Sequence, residues 1–150
     1  MLLRTHLVIA IFLYLIFLPI IPEKILFLVF LLFATGFVDI DTKKSKIGKH
    51  WYLRPLQWIV SHRGIFHTLI FAAILSGLFY YVNHVVGIAF FAGYVLHLIL
   101  DSFTRNGPKL FWPVSNFKIS LGIKSGGLIE EVIFVLVLLG DLFFTYKIFF

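Results

Sequence analysis

A chain of 150 residues that is 61% hydrophobic, 19% aromatic and only 13% charged is not an ordinary water-soluble domain, which runs about 45–50% apolar; its mean hydropathy is +1.02. The formal net charge of +6 would suggest nucleic acid in a soluble protein, but in so apolar a chain basic residues mark cytoplasmic loops and meet anionic headgroups. There is no cysteine, which excludes disulfides and thiolate ligands. Any bound metal must use imidazole nitrogen and carboxylate oxygen, a set that suits zinc, manganese, iron or magnesium.

Five apolar stretches follow one another at about 7–21, 24–38, 67–82, 86–100 and 128–146. As helices they reach roughly 22–28 Å, short for a hydrocarbon core of about 30 Å. The expected fold is all-α: a single integral-membrane domain over 1–150, a polytopic bundle of about five helices. The first stretch lacks a small-x-small cleavage site and closes on Pro19-Ile20-Ile21-Pro22, so it reads as an uncleaved helix ending in a tight turn. The second ends at Asp39, and a basic loop, 39–66, follows. Trp51, Tyr52 and Trp58 in that loop suggest a segment at headgroup level. The third and fourth stretches join through Tyr81-Val82-Asn83-His84. The fourth is the weakest of the five and is short enough to be re-entrant; the first hairpin could likewise enter and return. A second basic loop, 102–126, precedes the last stretch.

Alternating sides along this order brings the N-terminus and both long loops together. That side carries eleven of the thirteen Lys and Arg residues; the other has only Lys24 and Lys147. The eleven-charge side is therefore expected to be cytoplasmic in a plasma or inner membrane. Nearly every group able to bind metal or move a proton falls there too, at the end of an apolar stretch: His6, Asp39, Asp41, His62, His67, His97, Asp101, Glu130 and Glu131.

The sharpest local signal is His97-Leu-Ile-Leu-Asp101. Residues four apart share a helix face about 5–6 Å apart, so both can reach one ion. Asp101 also sits near a helix C-terminus, where the macrodipole disfavours a carboxylate and a bound cation would remove the penalty. Asp39-Ile-Asp41 meets the same dipole, and in an extended exit both side chains would project the same way, as bridging two ions requires. The plain alternative for each is a solvated helix end. In His62-Arg-Gly-Ile-Phe-His67, five residues turn a helix through about 500°, so the histidines converge only if His62 lies on the loop and His67 in the first turn. Gly64 permits the bend, and Arg63 could fork onto a phosphate. Glu130 and Glu131 open the last helix, where acids are comfortable without any ligand. His50, His84 and Asp141 lie outside this grouping; Asp141 is about 16 Å along its helix from Glu130.

Together the blocks Arg4-Thr5-His6, Asp39-Ile-Asp41, His62-Arg-Gly-Ile-Phe-His67-Thr68, Gly93-Tyr94-x-x-His97-x-x-x-Asp101 and Gly127-x-x-Glu130 resemble the YdjM-like family of membrane-bound metal-dependent hydrolases. The resemblance spans most of the chain. The family usually has Pro between the two aspartates, where this chain has Ile40, and often Thr-His-Ser where this chain has Phe66-His67-Thr68; the ligand types are kept. The family is distantly similar to zinc-dependent phospholipases C and single-strand nucleases, which hydrolyse phosphodiesters.

The resemblance implies a two- or three-metal site, zinc foremost. His6, Asp39, Asp41, His62, His67, His97, Asp101 and Glu130 would be ligands or their immediate partners. Metal-activated water would attack, Asp39 or Asp41 would take a proton, and Arg63 would neutralise charge on a phosphoryl group. A site at headgroup depth suits a phospholipid or lipid-linked phosphoester, with nucleic acid as a further substrate class. The competing expectation is a metal-ion transporter or a metal-stabilised membrane scaffold. Transport needs polar groups along a path through the bilayer, and stretches two and three are nearly bare of them.

Overall fold

The computed structural model describes residues 1–41, 51 and 65–150. The described residues form five α-helices, α1 (Leu3–Phe17), α2 (Lys24–Phe37), α3 (Leu69–Val82), α4 (His84–Ser102) and α5 (Leu128–Phe149). Short 3-10 turns at Val38–Asp41 and Ile65–His67 follow α2 and precede α3. Among the described residues there is no strand, only an isolated parallel bridge between Thr104 and Ile123. The all-α expectation holds.

Local chemistry sets the boundaries. α1 stops at Phe17 because Pro19, which follows the C-cap Leu18, has no N–H to continue the helical hydrogen bonds. It starts at Leu3, earlier than the apolar run suggests, so His6 lies in its first turn. Thr68 caps α3 by accepting from Phe71 N–H at 3.2 Å. A single extended residue, Asn83, separates α3 from α4, and its Oδ1 accepts from Val85 and Val86 N–H at 2.8 and 3.2 Å. These bonds satisfy N–H groups that a helix start leaves bare.

That cap corrects one expectation. The stretch read as the weakest, 86–100, becomes a helix of 19 residues, about 28 Å long. It and α5, with 22 residues, are the two described helices long and apolar enough to cross a membrane. The other three have 14 or 15 residues, roughly 21–22 Å.

α4 is the centre of the bundle. It packs between α2 and α3, and α1 joins α2 to α5 on the far side. One apolar cluster holds Ala34, Val38, Ala72, Phe90, Tyr94 and Leu98; a second, between α1 and α2, holds Ala10, Tyr14, Leu15, Ile21 and Leu31. α2 and α4 meet at backbone distance: a Cβ at Gly93 would lie 2.2 Å from the Leu31 carbonyl oxygen. Small residues at such crossings are how helices associate in lipid.

α5 is polar inward and apolar outward. Its buried residues are Glu130 and Asp141, while Leu136, Leu139, Leu142 and Phe143 face outward. In water this pattern would be costly; in hydrocarbon it is the expected one.

Candidate metal centre

The site is built from the polar ends of four helices. His97 is fully buried on α4, and Asp101 lies one turn further on the same face. His97 Nδ1 lies 2.8 Å from the carbonyl oxygen of Thr35. A carbonyl only accepts, so Nδ1 carries the proton and Nε2 presents a lone pair. Thr35 sits in the last turn of α2, where helical carbonyls run out of intrahelical donors. The close approach at Gly93 lets that carbonyl reach His97, and Thr35 Oγ1 lies 3.3 Å from the Gly93 carbonyl oxygen.

His6, also fully buried, repeats the device from α1. Its Nδ1 donates to the Leu2 carbonyl at 3.0 Å, which again turns Nε2 into the cluster. The His6 and His97 rings stack at 4.2 Å with 21° between planes. His67 comes from the 3-10 turn before α3, its ring 5.7 Å from that of His97. That turn is held by the Tyr94 hydroxyl, which donates to the Phe66 carbonyl, by Thr68 Oγ1 donating to Ile65 at 2.8 Å, and by Leu69 N–H donating to Leu110 at 2.9 Å.

The carboxylates complete the set. Asp101 Oδ1 is 3.5 Å from His6 Nε2, and its Oδ2 is 3.9 Å from His67 Nε2 and 3.8 Å from His97 Nε2. Asp39, in the turn that leaves α2, places Oδ1 3.8 Å from His97 Nε2. The Met1 ammonium also contacts Asp101 Oδ1. Burial, and the Asp101 carboxylate beside it, raise the Asp39 carboxyl above its ordinary range.

These separations are diagnostic. They exceed the 2.7–3.2 Å of a sound N–H···O bond. They approach the roughly 3.3 Å between two ligands on one tetrahedral ion at about 2.0–2.1 Å. Two overlapping groups have ligand atoms mutually within 4.8 Å: His6, His97 and Asp101, and Asp39, His67 and His97. His6 Nε2 and His97 Nε2 are buried with no hydrogen-bond partner among the described residues. Buried nitrogen lone pairs aimed at carboxylates, with Nδ1 fixed by a carbonyl, form the donor set of a divalent-metal site. The residues present fit the group.

Other sequence candidates are placed differently. Glu130 is buried, but its oxygens point to the start of α1: Oε1 accepts from Leu2 N–H at 2.6 Å and Thr5 Oγ1–H at 2.8 Å, and Oε2 from Gly126 N–H at 2.8 Å. It belongs to neither ligand group. Asp41 ends the 3-10 turn after α2, and its side chain lies outside the described residues. His62, Arg63 and His50 lie outside them altogether. Glu131 pairs with Arg4, and His84 begins α4, at the end away from Asp101.

Sequence reasoning did not single out Thr35, Thr5 or Tyr94 as supports. Thr35-Gly36 is a polar break in an otherwise apolar stretch, which was the available signal.

The family model of the YdjM inner membrane protein matches residues 1–147. Over 116 residues the chain is 28% identical to the uncharacterized protein YvsG of Bacillus subtilis (strain 168), covering 74% of this chain and 72% of that one. No solved structure matches. The chain belongs to the YdjM inner membrane protein family.

Proposed function

We propose that this YdjM-family membrane protein is a metal-dependent hydrolase of a phosphoester at the membrane surface, a phospholipid or lipid-linked phosphate. The observation that carries the reading is the buried meeting of His6, His67 and His97 with Asp39 and Asp101, whose ligand atoms come from four elements and lie within 4.8 Å of one another in two overlapping groups. Imidazole nitrogens and carboxylate oxygens gathered at this spacing are the donor set that a divalent cation takes.

His6, His97 and Asp101 would hold one ion, and Asp39 and His67 the second. His97 has one Nε2 to give, since its Nδ1 is committed to Thr35, so the two groups cannot both use it. Asp101 is the group placed to serve both, with Oδ1 toward His6 and Oδ2 toward His67 and His97. Zinc is the first choice for this nitrogen and oxygen set, and such an ion supplies a water of lowered pKa and a Lewis acid for a phosphoryl oxygen. The chain's own residues do the rest. Thr35 and Leu2 fix the histidine tautomers. The candidate proton acceptor is a carboxylate oxygen that no ion holds, on Asp39, which is less buried than Asp101, or on Asp41 from the sequence. Arg63, from the sequence, is the candidate to meet phosphoryl charge.

The excess of basic residues in both long loops and at Arg4 supports a cytoplasmic site on the plasma or inner membrane. A reporter fused after Lys124 tests this: an external signal overturns the orientation. To test the chemistry, the protein is purified without chelator, bound metal is counted by mass spectrometry, and lipid and nucleotide phosphoesters are assayed. Metal with turnover of a lipid phosphoester supports the reading. Metal without any turnover leaves the scaffold alternative standing, and neither metal nor turnover sinks the site.

A further inference from the structure

We propose that the segment 109–124, between α4 and α5, is a docking surface for anionic phospholipid headgroups, laid beside the metal-ligand cluster. It rests on membrane-family membership and is independent of the hydrolase reading.

Charge comes first. From Ser102 to Ile129 the chain has no acidic residue, and it carries Arg105, Lys109, Lys118 and Lys124. Lys118 and Lys124 are exposed. Among these cations stand outward-facing apolar side chains: Phe111, Trp112, Val114 (85% exposed), Phe117 (67%) and Leu121 (66%). A loop in bulk water does not keep so many large apolar groups out together. A segment in hydrocarbon does not carry lysines at this density.

The backbone narrows the depth further. Between Trp112 and Ser120 the described backbone hydrogen bonds are sparse and local, as from Trp112 N–H to Lys109 and Ser115 N–H to Phe111. Irregular backbone of this kind cannot face lipid tails. Headgroup depth is the one layer that accepts the aromatic rings, the lysines and the open backbone together.

The segment is also tied to the site. Leu110 carbonyl accepts from Leu69 N–H, two residues past His67, and Leu121 N–H donates to Ser102, next to Asp101. The chain just before the segment is pressed against it, where a Cβ at Gly107 would meet the Ile119 carbonyl oxygen. Lipid gathered here lies at the rim of the metal-ligand cluster.

Trp112 reports the contact. The chain has three tryptophans, so Trp51→Phe with Trp58→Phe leaves Trp112 alone. The protein is reconstituted in bilayers holding either brominated phosphatidylglycerol or brominated phosphatidylcholine. Stronger quenching by the brominated anionic lipid, and protection from aqueous iodide, are expected. In that background Lys109→Gln, Lys118→Gln and Lys124→Gln should each lower the anionic preference by up to about fivefold. Equal quenching by the two lipids overturns the charge selectivity. Quenching by iodide without quenching by either lipid overturns the docking surface, as does crosslinking of this segment to another protein in place of lipid. Metal content and turnover enter neither readout, so failure here and failure of the hydrolase reading are separable.

Discussion

The two long helices treat polar residues in opposite ways. α4 lies at the centre of the bundle and holds the buried polar side chains His97, Asp101 and Ser102 at one end, where three other elements bring complementary groups. α5 lies at the edge and spends its apolar residues on the outside, turning two acids inward three turns apart. Of those acids, Glu130 is answered by three donors, whereas Asp141 Oδ1 has no hydrogen-bond partner among the described residues. Burial alone therefore does not define a site. What separates the α4 cluster from the acids of α5 is several imidazole and carboxylate ligand atoms from different elements, mutually within 4.8 Å.

The largest effect should come from the α4 cluster. His97→Ala and Asp101→Asn each remove a ligand, and losing even an outer partner typically costs about 10–100-fold in metal affinity. Bound metal per chain should fall to near zero in both after mild washing with chelator. Retention of the full complement in both would break the distinction drawn here.

A paired experiment on α5 comes next. Glu130→Leu leaves the Leu2 N–H, Thr5 hydroxyl and Gly126 N–H without their acceptor, at about 1–3 kcal/mol for each buried group left bare. Asp141→Leu removes an acid from an apolar surround and should be neutral or stabilising. Thermal unfolding in detergent reads both, and equal losses would erase the contrast. Gly93→Ala follows. Its Cβ would force α2 and α4 apart at the Leu31 carbonyl, an overpacking cost of about 1–3 kcal/mol. It should also weaken metal binding by moving the Thr35 carbonyl off His97. Lost stability with unchanged metal affinity would show that Thr35 does not orient the ring.

Much of this was legible in the sequence because apolar periodicity and helix ends are local. All five stretches were found within about four residues of their final bounds, and His97 with Asp101 followed from helical spacing. The fourth helix was underestimated because its start depends on the Asn83 cap, a signal apolar counting ignores. Glu130 illustrates the other limit. Its place at a helix start was readable, but its donors Leu2 and Thr5 lie more than a hundred residues away, and no spacing rule connects them. The supports of the histidines are backbone carbonyls, which every residue has, so no residue type marks them.

The smallest effect belongs to the exposed counterpart of the Glu130 network. Arg4 pairs with Glu131 one residue along and lies over the Phe134 ring at 4.9 Å. It joins α1 to α5 just as Thr5 and Glu130 do. The Arg4 and Glu131 side chains are 44% and 50% exposed, and such pairs are worth about 0–1 kcal/mol. Arg4→Ala should therefore shift unfolding by well under the Glu130→Leu loss, with the ring contact adding about 0.5–1 kcal/mol at most. Added salt should shrink the difference between Arg4→Ala and the parent, because exposed charges are screened, and should leave the Glu130→Leu loss unchanged. A salt-insensitive Arg4 effect as large as that of Glu130 would mean that the start of α1 is held from outside the bundle and not by the buried carboxylate.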